Sequence, residues 1–249
     1  MTGARSSDEL LVVIPARYAS SRFPGKALAD LGGKTVLRRC YEQVRMAVDE
    51  ERIIVATDDD RIADECRAHG MRYEMTSSAC LTGTDRVAEV ANRRSAAWYL
   101  NVQGDEPFLD PSGLKAMIAA TAAADREVEV VNAYSPITEE SDFRSTTVPK
   151  VVVGADGRLL YMSRAAIPTT KQLGFHGALR QIGLYAFRPS ALRRFASHTT
   201  KTPLEQLEDI EILRFVELGV AVQMIEVRSV GIAIDTPEDL ARARRHLGV

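Results

Sequence analysis

Apolar residues follow two patterns that alternate along most of this chain. Short continuous runs, as at residues 10–14, 52–57 and 99–102, have the length and composition of strands buried on both faces. Segments with apolar residues every three or four positions follow them, the first beginning near Thr35. This alternation predicts an α/β fold with a mostly parallel sheet and helices on both of its faces.

The same patterns, together with turn and capping residues, predict the other elements. Strands are expected at 72–75, 128–134, 148–153, 159–162, 182–187 and 230–234. Helices are expected at 61–69, after Thr82, at 203–218 and after Asp235. The 203–218 helix has an apolar stripe, formed by Leu204, Leu207, Ile210, Leu213 and Leu218. Its acids recur three residues apart, at Glu205, Glu208 and Glu211, which is typical of a solvated face.

The middle of the chain predicts a small antiparallel region. The strands at 148–153 and 159–162 flank Asp156 and Gly157, a turn signal for a hairpin. We expect an antiparallel subregion over about residues 135–188, next to the parallel sheet. No linker rich in Pro, Gly or Ser divides the chain, so residues 1–249 are predicted to form a single domain.

Composition excludes several classes of protein. The 249 residues, 45% of them hydrophobic, are enough for a large core. A net charge of −2 disfavours general nucleic-acid binding. No apolar run approaches the ~18 residues of a membrane span, so no membrane partner is expected. Residues 1–8 are polar and lack an apolar centre, which predicts a frayed tail and not a signal peptide.

Cysteine and histidine usage predicts the compartment and argues against a metal site. Cys40, Cys66 and Cys80 are odd in number and lack CxxC spacing. We therefore expect three buried thiols in a reducing cytoplasm. The four histidines show no metal-ligand spacing and are expected at the surface.

The loop after the first strand carries the first candidate chemistry. Arg17, Arg22 and Lys26 lie there among Ser20, Ser21 and Gly25. Three cations on a loop of small residues suit a nucleotide triphosphate, although a solvated basic loop is the simpler alternative. The loop contains neither GxxxxGK[ST] nor GxGxxG, which disfavours a P-loop ATPase and a dinucleotide dehydrogenase.

Two aspartates follow other predicted strands. Asp105 comes after the strand at 99–102, and Asp235 follows the one at 230–234. Ligands of open α/β sheets gather beyond the carboxyl ends of the strands. Taken alone, Asp105 is as often a turn former as a ligand, and Asp235 is well placed to be a helix N-cap.

Seven segments of the chain, in order, resemble one family. They are VVIPARYASSRFPGKAL, TGTDRVAEV, NVQGDEPFLDP, SRAAIP, GLYAF, PLEQLEDIEILR and IDTPEDLARAR, and they run from about Leu11 to Arg244. The ordered set resembles the 3-deoxy-manno-octulosonate (Kdo) cytidylyltransferases, or CMP-Kdo synthetases. The resemblance implies a Rossmann-like nucleotidyltransferase sheet. The implied reaction transfers CMP from CTP to an acidic acceptor of the Kdo type and releases pyrophosphate. It also implies a homodimer, formed through hairpin residues that a monomer would leave partly exposed.

The resemblance also assigns roles to residues. The catalytic set is Lys26, Arg17, Asp105 and Asp235, of which Asp105 and Asp235 hold Mg²⁺. The nucleotide-binding set is Arg17, Ser21, Arg22, Gly25, Lys26, Gly83, Arg86 and Gln103. The acceptor-binding set is Gln103, Arg164, Gln181, Tyr185 and Glu211. From spacing alone, Gly83 and Arg86 would be only a helix start and an exposed helix residue.

Departures from the family pattern cluster at the acceptor end. Gln181 stands where histidine is usual, and the connection from Pro168 to Gln181 is short. Ala186 and Ala233 stand where glycine is usual and are expected to fill acceptor space. These changes favour, as an alternative acceptor, a small phosphonate such as phosphonoformate. A non-catalytic nucleotide-binding regulator is the second alternative, and it would not need both metal-binding aspartates.

Overall fold

The computed structural model describes residues 10–20, 22–228 and 233–249. The predicted tail, Ser21 and most of the predicted strand at 230–234 lie outside these residues. The strands are β1 (Leu10–Pro15), β2 (Ile53–Thr57), β3 (Tyr73–Met75), β4 (Trp98–Val102), β5 (Val130–Ile137), β6 (Lys150–Val153), β7 (Leu159–Ser163), β8 (Ala178–Phe187) and β9 (Val222–Glu226). The helices are α1 (Val36–Arg45), α2 (Asp60–Ala68), α3 (Gly83–Arg93), α4 (Pro111–Ala123), α5 (Glu140–Arg144), α6 (Pro189–Ala196), α7 (Pro203–Glu208), α8 (Ile212–Glu217) and α9 (Pro237–Leu247).

The described strands form one mixed sheet. Its order is β3-β2-β1-β4-β8-β5-β9, and β6 and β7 extend from β8. The pairs among β3, β2, β1 and β4 are parallel, as is the pair β5 and β9. Strand β8 runs antiparallel to both β4 and β5. The mostly parallel sheet is confirmed, but part of the antiparallel region is inserted within it and does not lie next to it.

Helices cover both faces of the sheet. Neighbouring residues of a strand pack against different helices, because their side chains point to opposite faces. Val12 of β1 packs in the cluster that contains residues of α1, α2 and α4. Val13 packs in the opposite cluster, with residues of α3, α6 and α8. The continuous apolar run of β1 is therefore buried on both faces of the sheet, as predicted.

The predicted single helix at 203–218 is wrong. Helix α7 ends at Glu208, because Asp209 adopts the left-handed conformation with φ 51°, and α8 begins at Ile212. The break turns Leu207 out of the predicted stripe, and its side chain is 80% exposed.

The predicted solvated face of this segment is wrong as well. Glu205 is fully buried and accepts two hydrogen bonds from Arg214, at 2.6 and 2.7 Å. Glu208 and Glu211 accept hydrogen bonds from residues far away in the chain. Spacing could not reveal these partners, because they come from other elements.

The hairpin prediction is confirmed, since β6 and β7 pair antiparallel. One side of the hairpin is buried in the monomer, where Val151 and Met162 are almost fully covered. Leu160, which is unpaired at an irregularity of the ladder, is 61% exposed. Only part of the hairpin is therefore available for contact with a second copy.

Cys40 and Cys66 are buried as predicted, whereas Cys80 is only partly covered. All four histidines lie at the surface. Within the described residues, no helix combines the length and the apolar character that a membrane span needs.

Candidate active site

A cavity of ≈ 450 Å³ opens where β1 and β4 end. This is the edge at which open α/β sheets bind ligands. Its wall contains ten of the residues predicted for the site. They are Arg17, Arg22, Lys26, Gly83, Arg86, Gln103, Asp105, Arg164, Glu211 and Asp235.

The loop after β1 is folded around Tyr18. The Gly25 N–H donates to the Tyr18 carbonyl at 2.8 Å, and Gly25 adopts φ +74°. A Cβ on Gly25 would lie 3.1 Å from the Tyr18 ring, so both the backbone and the available space require glycine. The guanidinium of Arg61 lies 3.2 Å from the centroid of the same ring. Gly25 thus shapes the loop that presents Lys26 without lining the cavity itself.

Lys26 joins the two predicted metal-binding aspartates. Its ammonium donates to a carboxylate oxygen of Asp105 and to Asp235 Oδ1 at 2.9 Å. Arg22 lies 3.2 Å from the other oxygen of Asp235. The Lys26 side chain is only 14% exposed, so these charges interact in a partly dry environment.

Asp235 is available for this pairing because it is not the N-cap of α9. That position belongs to Thr236, whose hydroxyl accepts from the Asp239 N–H, while the Asp239 carboxylate accepts from the Thr236 N–H. The sequence-based N-cap assignment for Asp235 is therefore wrong by one residue. The capping box holds the start of α9 and leaves Asp235 directed into the cavity.

The pKa shifts of Lys26 and Asp235 both favour the charged forms of these groups. Burial lowers the pKa of Lys26, but the charges of Asp105 and Asp235 outweigh burial and raise the pKa above its ordinary value. Burial raises the pKa of Asp235, but Lys26 and Arg22 outweigh it and the net shift is downward. Lys26 and Asp235 are both ionised at neutral pH.

The two aspartates fit Mg²⁺ when it arrives with a nucleotide. Among the described residues, no group of three or more His, Cys, Asp or Glu side chains is arranged to hold a metal ion. Asp105 and Asp235 still face one point, because a single ammonium bonds both. Mg²⁺ commonly takes one or two carboxylates and completes its shell with phosphate and water oxygens. The donor set suits that arrangement and not an all-protein cage.

The N-terminus of α3 forms another wall of the cavity. Thr82 caps it in a capping box with Asp85. The Glu211 carboxylate accepts from the N–H groups of Gly83 and Thr84, both at 3.0 Å, and from the Thr84 hydroxyl. Glu211 therefore lies in the cavity wall as predicted, but its oxygens are engaged in holding α3.

Arg86 is not the exposed helix residue that spacing alone suggested. Its side chain is 4% exposed and lies 3.0 Å from a carboxylate oxygen of Asp58, at the end of β2. It also donates to the Thr76 hydroxyl at 2.7 Å. These bonds fix α3 to the parallel strands and place Arg86 at the cavity wall.

Arg164 is anchored by backbone carbonyls. Its guanidinium donates to the carbonyls of Glu208, Thr146 and Asp209. The Glu208 carboxylate accepts from the Arg164 N–H, and the buried Lys150 ammonium donates to the Arg164 carbonyl at 2.6 Å. Within the part of the chain that the structure describes, three of the five guanidinium N–H groups have partners, so two remain for a ligand.

The other predicted acceptor residues are distributed differently. Gln103 lines the cavity and donates to Asn101. Gln181 does not line the cavity, and its amide donates to Asn132 at 3.2 Å. Tyr185 is partly buried, is stacked beside Phe187 against the core, and also does not line the cavity.

The expected effect of the two alanines on acceptor space is wrong. Ala186 is fully buried within the sheet, paired between Leu100 and Val131. Ala233 is exposed, and neither residue is part of the cavity wall. The methyl groups therefore do not reduce this cavity.

Several residues of the site were missed by sequence reasoning. The cavity wall also contains Lys201, Asp209, Ser20 and Cys80. The backbone of Arg164 is held by hydrogen bonds with the side chains of Glu208 and Lys150. The acid repeat in 205–211 was the available signal for Glu208. No local pattern distinguished Lys201 from an ordinary surface lysine.

Comparison with known proteins identifies the family. Residues 11–225 match the family model described as cytidylyltransferase. The 3-deoxy-manno-octulosonate cytidylyltransferase of Syntrophotalea carbinolica is 42% identical over 247 residues, covering 96% of this chain and 98% of that protein. The chain belongs to the 3-deoxy-manno-octulosonate cytidylyltransferase family. The Protochlamydia amoebophila protein of the same name is 38% identical and covers 99% of this chain and 97% of its own.

A solved structure of this family agrees with the fold. It is described as CMP:2-keto-3-deoxy-manno-octonic acid synthetase complexed with CTP, and it matches with a TM-score of 0.89 at 32% identity. The match covers 97% of this chain and 99% of that one. The predicted family and nucleotidyltransferase fold are confirmed, and membership favours an enzyme over a non-catalytic regulator.

Proposed function

We propose that this enzyme transfers CMP from CTP to 3-deoxy-manno-octulosonate and releases pyrophosphate. The observation that carries the proposal is one cavity in which Arg22 and Lys26 pair with the carboxylates of Asp105 and Asp235, and whose wall also contains Arg17. Relatives that cover nearly the whole chain bear this activity in their names.

Different residues of the chain bind CTP and the acceptor. Arg17, Arg22 and Lys26 bind the triphosphate and stabilise the negative charge that develops on pyrophosphate. The N-terminal turn of α3, with Gly83 and Arg86, lies against the cytosine and ribose. An acceptor oxygen forms a bond with the α-phosphorus, on the side opposite to the breaking bond to pyrophosphate.

The acceptor is an acid, and Arg164 with Gln103 binds its carboxylate. A planar guanidinium with two unused N–H groups suits a carboxylate. Its backbone anchors hold the guanidinium in place before the acceptor arrives, which reduces the ordering cost of binding.

Mg²⁺ belongs to this reaction, held by Asp105 and Asp235 together with the nucleotide. When bound, it offsets phosphate charge as pyrophosphate leaves. Lys26, which bonds both carboxylates without nucleotide, then binds phosphate oxygens. Turnover that survives unchanged when Asp105→Asn is combined with Asp235→Asn would contradict this assignment.

We further propose that the enzyme works as a symmetric homodimer in the cytoplasm. The exposed Leu160 of the hairpin supplies apolar surface for the dimer contact. The cytoplasm is proposed because the three cysteines are odd in number and lack CxxC spacing, as is usual for thiols in a reducing compartment.

The test is the rate of pyrophosphate release with CTP and Mg²⁺ over a panel of acids. We expect kcat/KM for 3-deoxy-manno-octulosonate to exceed that for phosphonoformate. The alternative, a small phosphonate acceptor, rests on Gln181 in the place of the usual histidine, and the names of the relatives do not favour it. A large preference for phosphonoformate would replace the proposed acceptor by this alternative.

A further inference from the structure

Lys201 and Asp209 form an ion pair inside the cavity wall. The Lys201 ammonium donates to Asp209 Oδ1 at 2.5 Å. The Lys201 side chain is 21% exposed, whereas that of Asp209 is 73% exposed. Neither residue belongs to the phosphate loop or to the pair of aspartates that fits Mg²⁺.

The pair lies on the Arg164 side of the cavity. The Asp209 carbonyl accepts from the Arg164 guanidinium at 3.0 Å, so one residue binds both cations through different groups. The hydrogen bond from Lys201 is the main cause that lowers the pKa of Asp209, and the charges of Arg164 and Arg17 lower it further. Lys201 thus bonds the Asp209 carboxylate directly, while Arg164 bonds the carbonyl of the same residue.

Stability does not explain this arrangement. An ion pair with one largely exposed partner contributes little to folding, because water screens its charges. Asp209 also adopts the left-handed conformation, which destabilises the fold for a residue other than glycine. The arrangement places a carboxylate among cations inside a substrate cavity, and it does so at little or no net gain in folding.

We propose that Lys201 is an acceptor-binding residue, which exchanges the Asp209 carboxylate for the carboxylate of the incoming acid. Asp209 occupies the anion position in the free enzyme, as a tethered equivalent of the acceptor. Arg164 contributes its two unused N–H groups to the same anion. This inference rests on the proposed function, because it assumes an acidic acceptor.

The geometry predicts opposite effects on acceptor binding for the loss of Lys201 and for the loss of the Asp209 charge. Loss of Lys201 removes a cation from the anion position and weakens acceptor binding. Loss of the Asp209 charge removes the internal competitor and strengthens it. Asn tolerates the left-handed conformation as well as Asp does, so Asp209→Asn leaves the turn intact.

The experiment measures KM for CTP and for the acceptor separately in Lys201→Met, Lys201→Arg and Asp209→Asn. We expect Lys201→Met to raise the acceptor KM by roughly tenfold or more, with the CTP KM within about twofold of wild type. Lys201→Arg restores most of the affinity, and Asp209→Asn lowers the acceptor KM. The control is Lys34→Met, which removes a lysine that pairs with Glu42 at 2.7 Å outside the cavity.

Three results would overturn the proposal. In Lys201→Met they are an unchanged acceptor KM and a CTP KM that rises as much as the acceptor KM. In Asp209→Asn it is an acceptor KM that fails to fall, which would show that the pair is only structural.

A calorimetric titration without CTP separates this proposal from the reaction itself. Wild type that binds 3-deoxy-manno-octulosonate or phosphonoformate, with binding weakened in Lys201→Met, supports the role of Lys201 even if no CMP ester forms. Equal binding by both proteins, or binding of neither acid by wild type, contradicts it.

Discussion

At the scale of single residues, Lys26 sets the charge balance of the site. Its ammonium lies between Asp105 and Asp235, at the point where the two carboxylates would hold a metal. If the two carboxylates hold a divalent cation as proposed, Lys26 would compete with it for the same oxygens in the absence of nucleotide. In the proposed reaction, the phosphate oxygens of CTP would give the ammonium a second set of partners.

This competition predicts a separation between metal binding and turnover. In Lys26→Met, binding of Mn²⁺ to the nucleotide-free protein should strengthen, because the carboxylates lose their internal cation. Turnover should fall by about 100-fold or more, since a contact to the reacting phosphates is lost. Electron paramagnetic resonance titration and pyrophosphate release measure the two quantities, with Lys34→Met as the matched control. Weaker Mn²⁺ binding in the variant would show that Lys26 supports the metal site and does not compete for it.

The sequence predicted which residues meet at the site better than it predicted their bonds. Ten predicted residues line one cavity, because family motifs mark the ends of strands and the starts of helices. Glu211 and Arg86 lie there with bonds to α3 and to Asp58 that no local pattern encodes. Such pairings depend on which distant segments the fold brings together.

At the scale of elements, the break between α7 and α8 places Asp209 beside Arg164 and Lys201 in the cavity wall. A continuous helix would have kept Leu207 in the apolar stripe. The left-handed Asp209 instead directs its carbonyl to Arg164 and its carboxylate to Lys201. Hydrophobic periodicity could not reveal this break, because residues 203–218 contain no internal Pro or Gly.

The break predicts unequal effects of two leucine substitutions that a single helix would make similar. Leu207→Ser should change the free energy of unfolding by less than ~0.5 kcal/mol, since the side chain is 80% exposed. Leu213→Ala should cost about 2–5 kcal/mol, since Leu213 is fully buried. Urea unfolding of both variants measures these changes in the free energy of unfolding. A large cost for Leu207→Ser would contradict the break, because it would show that Leu207 is buried in a continuous apolar stripe.

At the scale of the whole molecule, the α/β class and the mostly parallel sheet followed from the sequence, and the strand order did not. Runs such as β1 and β2 are apolar throughout because both of their faces are covered. The place of β8 between β4 and β5 is set by long-range pairing. Helix α4 and strand β9 were not predicted, and α4 is apolar enough to lack a clear helical stripe.

The proposed homodimer predicts a mass twice that of the 27.4 kDa chain, about 55 kDa. Leu160→Glu should shift the protein toward the monomer, because it places a charge in an apolar contact. Leu207→Glu is the control, since Leu207 is 80% exposed, more than Leu160, but lies on α7 and not on the hairpin. Light scattering that gives a monomer for wild type, or equal dissociation of both variants, would contradict an interface through the hairpin.

The central claim is tested most directly by identifying the product. CTP, 3-deoxy-manno-octulosonate and Mg²⁺ are incubated with the enzyme, and phosphorus NMR follows every phosphate. We expect one new phosphodiester, the CMP ester of the sugar acid, for each pyrophosphate released. CTP that stays intact, or that yields CMP and pyrophosphate without an ester, would contradict it.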